Sequence, residues 1–213
     1  MVRKILPLLL VLAGLMLVGC GEYGKVEQGR TVYFDKEKST VGIVVDDNID
    51  PKKPPNYATL PAHFFVLPAD PIERGEDPTP ARRMNLDVEK KIITMYNSDT
   101  KSFEDLPFEV VEDHKDVDLR RRHPLVWDRT TRRAIRFPRV NAAEKTITIY
   151  STRQLRLTTI KLSEENFGKY KEGEWGAGDE VRIYYREGYG NSPDKPGKSL
   201  RFMNITKTDI TRR

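Results

Sequence analysis

Apolar side chains recur at every second position in short runs along this chain, and not at the three- and four-residue spacing of an amphipathic helix. Thr40–Val45 and Glu180–Tyr185 show this alternation, which is typical of a strand with one buried face. The runs are short and rich in Val, Ile, Thr and Tyr, so each predicts a strand. We predict ten strands, at 30–34, 40–45, 63–67, 92–96, 108–111, 135–140, 146–150, 155–162, 181–185 and 200–205.

These strands predict a mainly β fold with two small antiparallel β-barrel or sandwich units. In the second half the order is three strands, a short helix and two strands, which is the layout of an OB-like barrel. Ser163 is the predicted N-cap of that helix, because Glu164 and Glu165 follow it in the first turn. A strand, turn, strand pattern recurs at 35–41, 87–93 and 141–147, which fits either a duplication or ordinary hairpin turns.

Proline and charge divide the chain. Eight of the fourteen prolines lie between positions 51 and 80, which predicts proline-rich loops at 47–81 within the first unit. Seven acidic residues then occupy 104–118, and eight arginines occupy 120–139. We therefore predict a first β-domain at 24–112, a charged junction at 113–133 and the second, OB-like β-domain at 134–213.

The first residues form a different kind of segment, MVRKILPLLLVLAGLMLVGC. Arg3 and Lys4 precede an apolar run from 5 to 18, and no acidic residue interrupts it. The run is shorter than the roughly 20 residues that a membrane-spanning helix needs. The pattern predicts a signal peptide at 1–19.

Leu17-Val18-Gly19-Cys20 resembles the lipobox of bacterial lipoproteins, in which the cysteine sulfur receives lipid and becomes the new N-terminus. The resemblance implies acylation of Cys20, with palmitate-type chains, and a lipidated N-terminus at 20–23. Two or more acyl chains anchor a protein stably. Gly21, where enterobacterial inner-membrane lipoproteins carry Asp, implies a periplasm-facing protein of the outer rather than the inner membrane.

The segments GAGDEVRIYYRE and GKSLRFMNITKTDITRR, together with the lipobox, resemble uncharacterised lipoproteins of sulfate-reducing bacteria over most of the mature chain. The resemblance implies a location and no activity. Cys20 is the only cysteine, so the mature part is expected to fold without an intramolecular disulfide. Removing Arg3 and Lys4 with the signal peptide lowers the formal net charge from +5 to +3.

No motif in the chain predicts an enzyme. A Gly-x-Ser-x-Gly elbow, a His-Glu-x-x-His helix and a Walker loop are all missing from the sequence, and we expect no cofactor. His63 lies in an apolar run and is expected in the core or at an edge strand. His114 and His123 lie near three aspartates, but their spacing fits no compact metal motif, so we predict no metal site.

Arginine is the residue type most concentrated in one place. Arginine binds phosphate and carboxylate with two hydrogen bonds, which indicates a surface for an anionic partner. The alternative is internal pairing with the acidic stretch just upstream. A barrel face bearing arginine and tyrosine is a second possible surface, or simply a solvated one. The predicted binding residues are Arg120, Arg121, Arg122, Trp127, Arg132, Arg133, Tyr150, Arg156, Arg182 and Tyr184.

The leading hypothesis is a membrane-anchored envelope lipoprotein that acts as a non-enzymatic binding module. Its partner would be an envelope protein or an anionic glycan or lipid, and no nucleic acid is expected because the protein is exported. The alternatives are an envelope hydrolase with an unrecognised site and a structural role without a dedicated ligand.

Overall fold

A computed structural model describes residues 24–48 and 55–208. Cys20 and the predicted signal peptide lie outside the described residues. Within those residues, no helix is long and apolar enough to cross a membrane. The strands are β1 (Lys25–Asp35), β2 (Thr40–Val45), β3 (His63–Val66), β4 (Arg83–Asp87), β5 (Ile92–Asn97), β6 (Ser102–Pro107), β7 (Glu109–His114), β8 (Trp127–Asp128), β9 (Arg133–Ala134), β10 (Arg139–Asn141), β11 (Thr146–Ser151), β12 (Arg156–Lys161), β13 (Glu180–Tyr185) and β14 (Gly197–Asn204).

Five strands close into a barrel in the order β1, β13, β14, β3 and β2. All neighbours are antiparallel except β14 and β3, which run parallel. Alternate residues of β13 are buried, as predicted for a strand with one buried face, whereas all six residues of β2 are buried because both of its faces are covered. The barrel core consists of Val41, Ile43, Val45, Phe65, Leu67, Val181, Ile183, Tyr185 and Phe202.

The remaining strands form small sheets beside the barrel. One sheet has the order β4, β5, β6, another the order β10, β11, β12, β7, and β8 pairs with β9 in a hairpin. A second core joins the three- and four-stranded sheets around the fully buried Trp175. Trp175 ends a 3-10 turn at Glu172–Trp175, which follows the helix α1 at Glu164–Gly168.

The predicted class is confirmed, because the chain is mainly β with a closed barrel and other small sheets. The predicted N-cap is also confirmed, since the Ser163 hydroxyl accepts a hydrogen bond from the Asn166 backbone nitrogen at 3.2 Å. Ten of the fourteen strands overlap predicted ones, whereas β4, β6, β8 and β9 were not predicted. The pairing of strands that lie far apart along the chain was also not predicted.

The predicted division into 24–112 and 134–213 requires correction. The barrel takes three strands from the predicted first domain and two from the second, and β1 pairs with β13 over six residue pairs. The four-stranded sheet likewise combines β7 with β10 to β12. The barrel is therefore not contained in residues 134–213, because the strands that complete it come from the start of the described chain.

Candidate functional site: an arginine surface

The arginine-rich segment contains a tight turn that begins at His123. The carbonyl oxygen of His123 accepts hydrogen bonds from the backbone nitrogens of Val126 and Trp127, both at 3.0 Å. Val126 is fully buried and packs with Val117 and Leu157, so it fixes the segment to the four-stranded sheet. Burial of one apolar side chain thus positions the exposed residues that follow it.

The β8–β9 hairpin carries the arginines outward. Trp127 pairs with Ala134, and Asp128 pairs with Arg133. The Asp128 carboxylate accepts a hydrogen bond from the Thr130 backbone nitrogen at 2.8 Å, which closes the turn. Hydrogen bonds from Thr131 and Thr130 hold the pKa of Asp128 below its usual value. The hairpin tip is therefore braced by the one acidic side chain within 120–139.

All eight arginines of this segment are exposed, and Trp127 is half-buried among them. The Arg122 guanidinium lies 5.3 Å from the centre of the Trp127 ring, in cation–π geometry. Within the part of the chain that the structure describes, only Arg121 of the eight has a carboxylate within 4 Å, that of Asp118 at 3.5 Å. We call this group the arginine surface: Arg120, Arg121, Arg122, Trp127, Arg129, Arg132, Arg133, Arg136 and Arg139.

Two open concavities flank Trp127. One, of about 770 Å³, is lined by Trp127, Arg129, Arg136 and Arg139 with the neighbouring hairpin residues. The other, of about 690 Å³, is lined by Trp127 with Arg121, Arg122, Arg129 and Arg132. Each concavity presents several guanidinium groups to solvent, and paired N–H donors of this kind match phosphate and carboxylate groups.

The acidic stretch upstream pairs elsewhere. Asp113 accepts two hydrogen bonds from Arg156, Nε to Oδ1 at 2.7 Å and Nη2 to Oδ2 at 2.8 Å. These bonds hold the pKa of Asp113 below its usual value. Glu104 pairs with Lys169 and accepts a hydrogen bond from the Tyr170 hydroxyl. Internal neutralisation of the arginine cluster by this stretch is therefore wrong for the described residues, apart from the Arg121 contact with Asp118.

The predicted barrel face of tyrosine and arginine also requires correction. Tyr150 and Arg156 lie on β11 and β12 of the four-stranded sheet, whereas Arg182 and Tyr184 lie on β13 of the barrel. These side chains do not share a face, because their strands belong to different sheets.

Three of these four side chains have internal roles. The Tyr150 hydroxyl donates to the Val117 carbonyl at 2.8 Å, and Arg156 is occupied by Asp113. Arg182 donates to Gln28 Oε1 from both Nε and Nη2, at 3.2 and 2.8 Å. The structure therefore brings four of the first six predicted residues, Arg121, Arg122, Trp127 and Arg132, to one concavity. Arg120 and Arg133 are exposed in the same segment, and the other four predicted residues lie outside it.

Comparison with known proteins gives one match. A family model described as Domain of unknown function (DUF4881) matches residues 22–213. The chain belongs to this family. Searches of curated proteins and of solved structures found no match. The DUF4881 match covers both the barrel and the arginine surface, so the two belong to one family unit.

A buried polar cluster in the DUF4881 barrel was not predicted. His63 Nδ1 lies 2.7 Å from Glu27 Oε2, and the Tyr185 hydroxyl donates to Glu27 Oε1 at 2.6 Å. The Tyr189 ring stacks on the His63 ring, with 3.4 Å between centroids. Burial and the Glu27 carboxylate raise the pKa of Tyr185. The apolar run around His63 did predict its burial, but Glu27 lies 36 residues earlier and has no local signal.

The other two histidines lie at the edge of the four-stranded sheet and at the start of the arginine segment. His114 is 3.7 Å from Glu112, and His123 Nδ1 accepts a hydrogen bond from the Leu125 backbone nitrogen at 3.3 Å. Within residues 24–48 and 55–208, no group of three or more His, Cys, Asp or Glu side chains is placed to hold a metal ion.

Proposed function

We propose that this protein is a lipid-anchored envelope lipoprotein that binds an anionic polymer of the envelope through the arginine surface, without catalysing a reaction. One observation carries the binding proposal. Eight arginines between 120 and 139 are exposed, six of them line the two concavities beside Trp127, and in the described chain only Arg121 of the eight has a carboxylate neighbour. Uncompensated like charges repel one another at short range, so such a cluster is stabilised when a polyanion binds.

The chemistry favours phosphate or carboxylate groups repeated along a polymer. Several guanidinium groups side by side can bind several anionic groups at once. The two concavities beside Trp127 are separate places for such groups. A lipopolysaccharide supplies phosphates, and peptidoglycan supplies carboxylates.

The alternative, an envelope hydrolase, has less support from the residues that the structure describes. Hydrolysis by paired acid and base groups requires that both reach the substrate. The shortest histidine–carboxylate contact in the described residues joins His63 and Glu27, but the His63 side chain is buried and stacked against Tyr189. The Glu27 carboxylate is already engaged by His63 and Tyr185.

Lipid attachment at Cys20 is the other half of the proposal. It is supported by Arg3 and Lys4, the apolar run and the LVGC motif. The family match begins at residue 22, just after the proposed cleavage site. Cys20→Ser should abolish incorporation of labelled fatty acid and release the protein from the membrane fraction. Unchanged labelling or unchanged membrane retention would count against the anchor.

Site-specific photo-crosslinking in cells tests the binding half. A photoreactive residue at Thr131, in the hairpin tip, should capture a glycan- or lipopolysaccharide-containing adduct. Ser98, which is equally exposed in the β5–β6 turn, is the matched control position and should capture none. Equal capture at both positions, no capture at position 131, or capture of protein alone would contradict the proposal.

A further inference from the structure

Three of the seven exposed large apolar residues in the described chain lie at the end of the barrel where β1 begins. Val26, Tyr189 and Leu200 are 41%, 45% and 42% exposed. Val26 and Leu200 lie on the two strands that flank the end of β13, and Tyr189 stacks on His63, which contacts Glu27 next to Val26. Apolar groups of this size in water are unfavourable unless something covers them.

Tyr189 is held rigidly in this position. Its ring stacks on the buried His63 ring, and the next residue, Gly190, exchanges two backbone hydrogen bonds with Phe64, at 2.9 and 3.0 Å. Nearly half of the Tyr189 surface is nevertheless exposed. Tyrosine is enriched where proteins meet the headgroup region of a bilayer, because its ring is apolar and its hydroxyl is polar.

Basic side chains surround these apolar residues. Lys25, Arg186, Lys195 and Lys198 are all exposed at the same barrel end, against two exposed acidic residues, Glu187 and Asp194. We call this combination the anchor face: Lys25, Val26, Arg186, Tyr189, Lys195, Lys198 and Leu200. Exposed apolar groups among excess positive charge match an anionic bilayer surface.

The distance to the proposed lipid is short. Cys20 is five residues from Lys25, the first residue of β1. A fully extended chain of five residues spans at most about 18 Å. The barrel end that carries the anchor face therefore cannot lie farther than this from a lipid on Cys20.

The arginine surface lies at the other end of β13. Phe137 and Pro138, which follow the hairpin, line a cavity with Gly178 and Asp179, just before β13 begins. The anchor face lies at Tyr185, where β13 ends. A six-residue strand separates its ends by roughly 17 Å.

We propose that the anchor face rests on the anionic headgroups of the bilayer that carries the Cys20 lipid, which directs the arginine surface away from that bilayer. This inference rests on the proposed lipid attachment at Cys20. It deepens the proposed function, because the anionic polymer then approaches from the side opposite the membrane. The acyl chains would hold the protein at the bilayer, and the anchor face would set its orientation there.

Hydrogen–deuterium exchange of the acylated full-length protein tests this orientation. The protein is compared in phosphatidylcholine vesicles and in vesicles that contain phosphatidylglycerol, at one protein-to-lipid ratio. Backbone amides at 186–198 should exchange at least about threefold more slowly in the anionic vesicles, and 0.5 M salt should reverse the effect. Amides at 118–139 should exchange alike in both.

The triple variant Lys25→Gln, Lys195→Gln, Lys198→Gln should lose this protection. The matched variant Lys36→Gln, Lys101→Gln, Lys161→Gln, which removes three exposed lysines elsewhere, should keep it. Equal exchange at 186–198 in both vesicles, or protection at 118–139 instead, would overturn the inference. The mass of the protein distinguishes the two proposals: a protein without acyl chains refutes the anchor, whereas an acylated protein without protection refutes only the orientation.

Discussion

The arginines of this protein form two groups that differ in what their guanidinium groups contact. Seven arginines outside the arginine surface donate hydrogen bonds to other parts of the fold, namely Arg30, Arg74, Arg82, Arg83, Arg156, Arg182 and Arg201. Arg30 links the barrel to β4, and Arg156 binds Asp113 on the neighbouring strand. The exposed group has one carboxylate contact among the described residues, that of Arg121. The same residue type thus stabilises the fold in one region and is exposed to solvent in the other.

The largest effect on stability is expected where an arginine joins two layers. Arg30 Nη1 donates to the Arg83 and Met84 carbonyls, at 3.2 and 2.9 Å, and its guanidinium lies 4.8 Å from the Tyr57 ring centre. Arg30→Gln should lower the free energy of unfolding by about 2 kcal/mol, because two partly buried carbonyls lose their donor. Urea denaturation measures this. Arg136→Gln is the control and should change the free energy of unfolding by less than about 0.5 kcal/mol. Equal losses in the two variants would contradict the division of the arginines into two groups.

A smaller and pH-dependent effect is expected at Asp113. Asp113→Asn should destabilise the protein by about 1 kcal/mol at pH 7, because the partly exposed ion pair with Arg156 loses its charge. Since Arg156 lowers the pKa of Asp113 in the folded state, this contribution is present above the unfolded pKa and declines as pH falls through the folded pKa. The difference between wild type and variant should therefore shrink from pH 5 to pH 3. A difference that stays constant with pH would contradict the assignment.

Within the arginine surface, one side chain should make a small contribution to stability. Arg122 lies over Trp127, and an exposed cation–π contact contributes about 0.5 kcal/mol. Arg122→Gln should reduce stability by that amount in thermal unfolding, and Arg120→Gln, which has no such contact among the described residues, should not. A loss above about 2 kcal/mol would show that this surface has a structural role.

The smallest stability effect is expected at the hairpin tip. The triple variant Arg129→Gln, Arg132→Gln, Arg133→Gln should unfold within about 0.5 kcal/mol of wild type, since these side chains have no carboxylate neighbour in the described chain. Removing three like charges could even stabilise the hairpin slightly. A cooperative loss of stability in urea would contradict the division into two groups.

Local sequence predicts the strands of this fold better than their partners. Thr40–Val45 has the predicted bounds because its apolar periodicity is strong, whereas β4 and β6, with the sequences RMNLD and SFEDLP, were missed because their alternation is weak. Closure of the barrel by β14 against β3 joins residues more than 130 positions apart. Periodicity reports which face of a strand is buried and says nothing about which strand lies beside it.

The same limit applies to the site. The density of arginines between 120 and 139 predicted the arginine surface, because that signal is local. Whether those arginines pair with the upstream acidic residues depended on packing. Asp113 instead binds Arg156, which lies on the neighbouring strand and 43 residues later in the sequence. Tyr150, Arg156, Arg182 and Tyr184 were placed on one face only because the wrong strands were assumed to be neighbours.

Binding of the full-length protein to isolated envelope polymers tests the central claim most directly. Retention in non-ionic detergent is measured on lipopolysaccharide-coated beads and on purified peptidoglycan sacculi, at 0.1 and 0.5 M salt. Wild type should bind at least one of them at low salt. The triple variant Arg129→Gln, Arg132→Gln, Arg133→Gln should bind at least about tenfold more weakly, while Lys36→Gln, Lys101→Gln, Lys161→Gln keeps the wild-type affinity. Retention that is absent on both polymers, or that is identical for the two triple variants, would contradict the account.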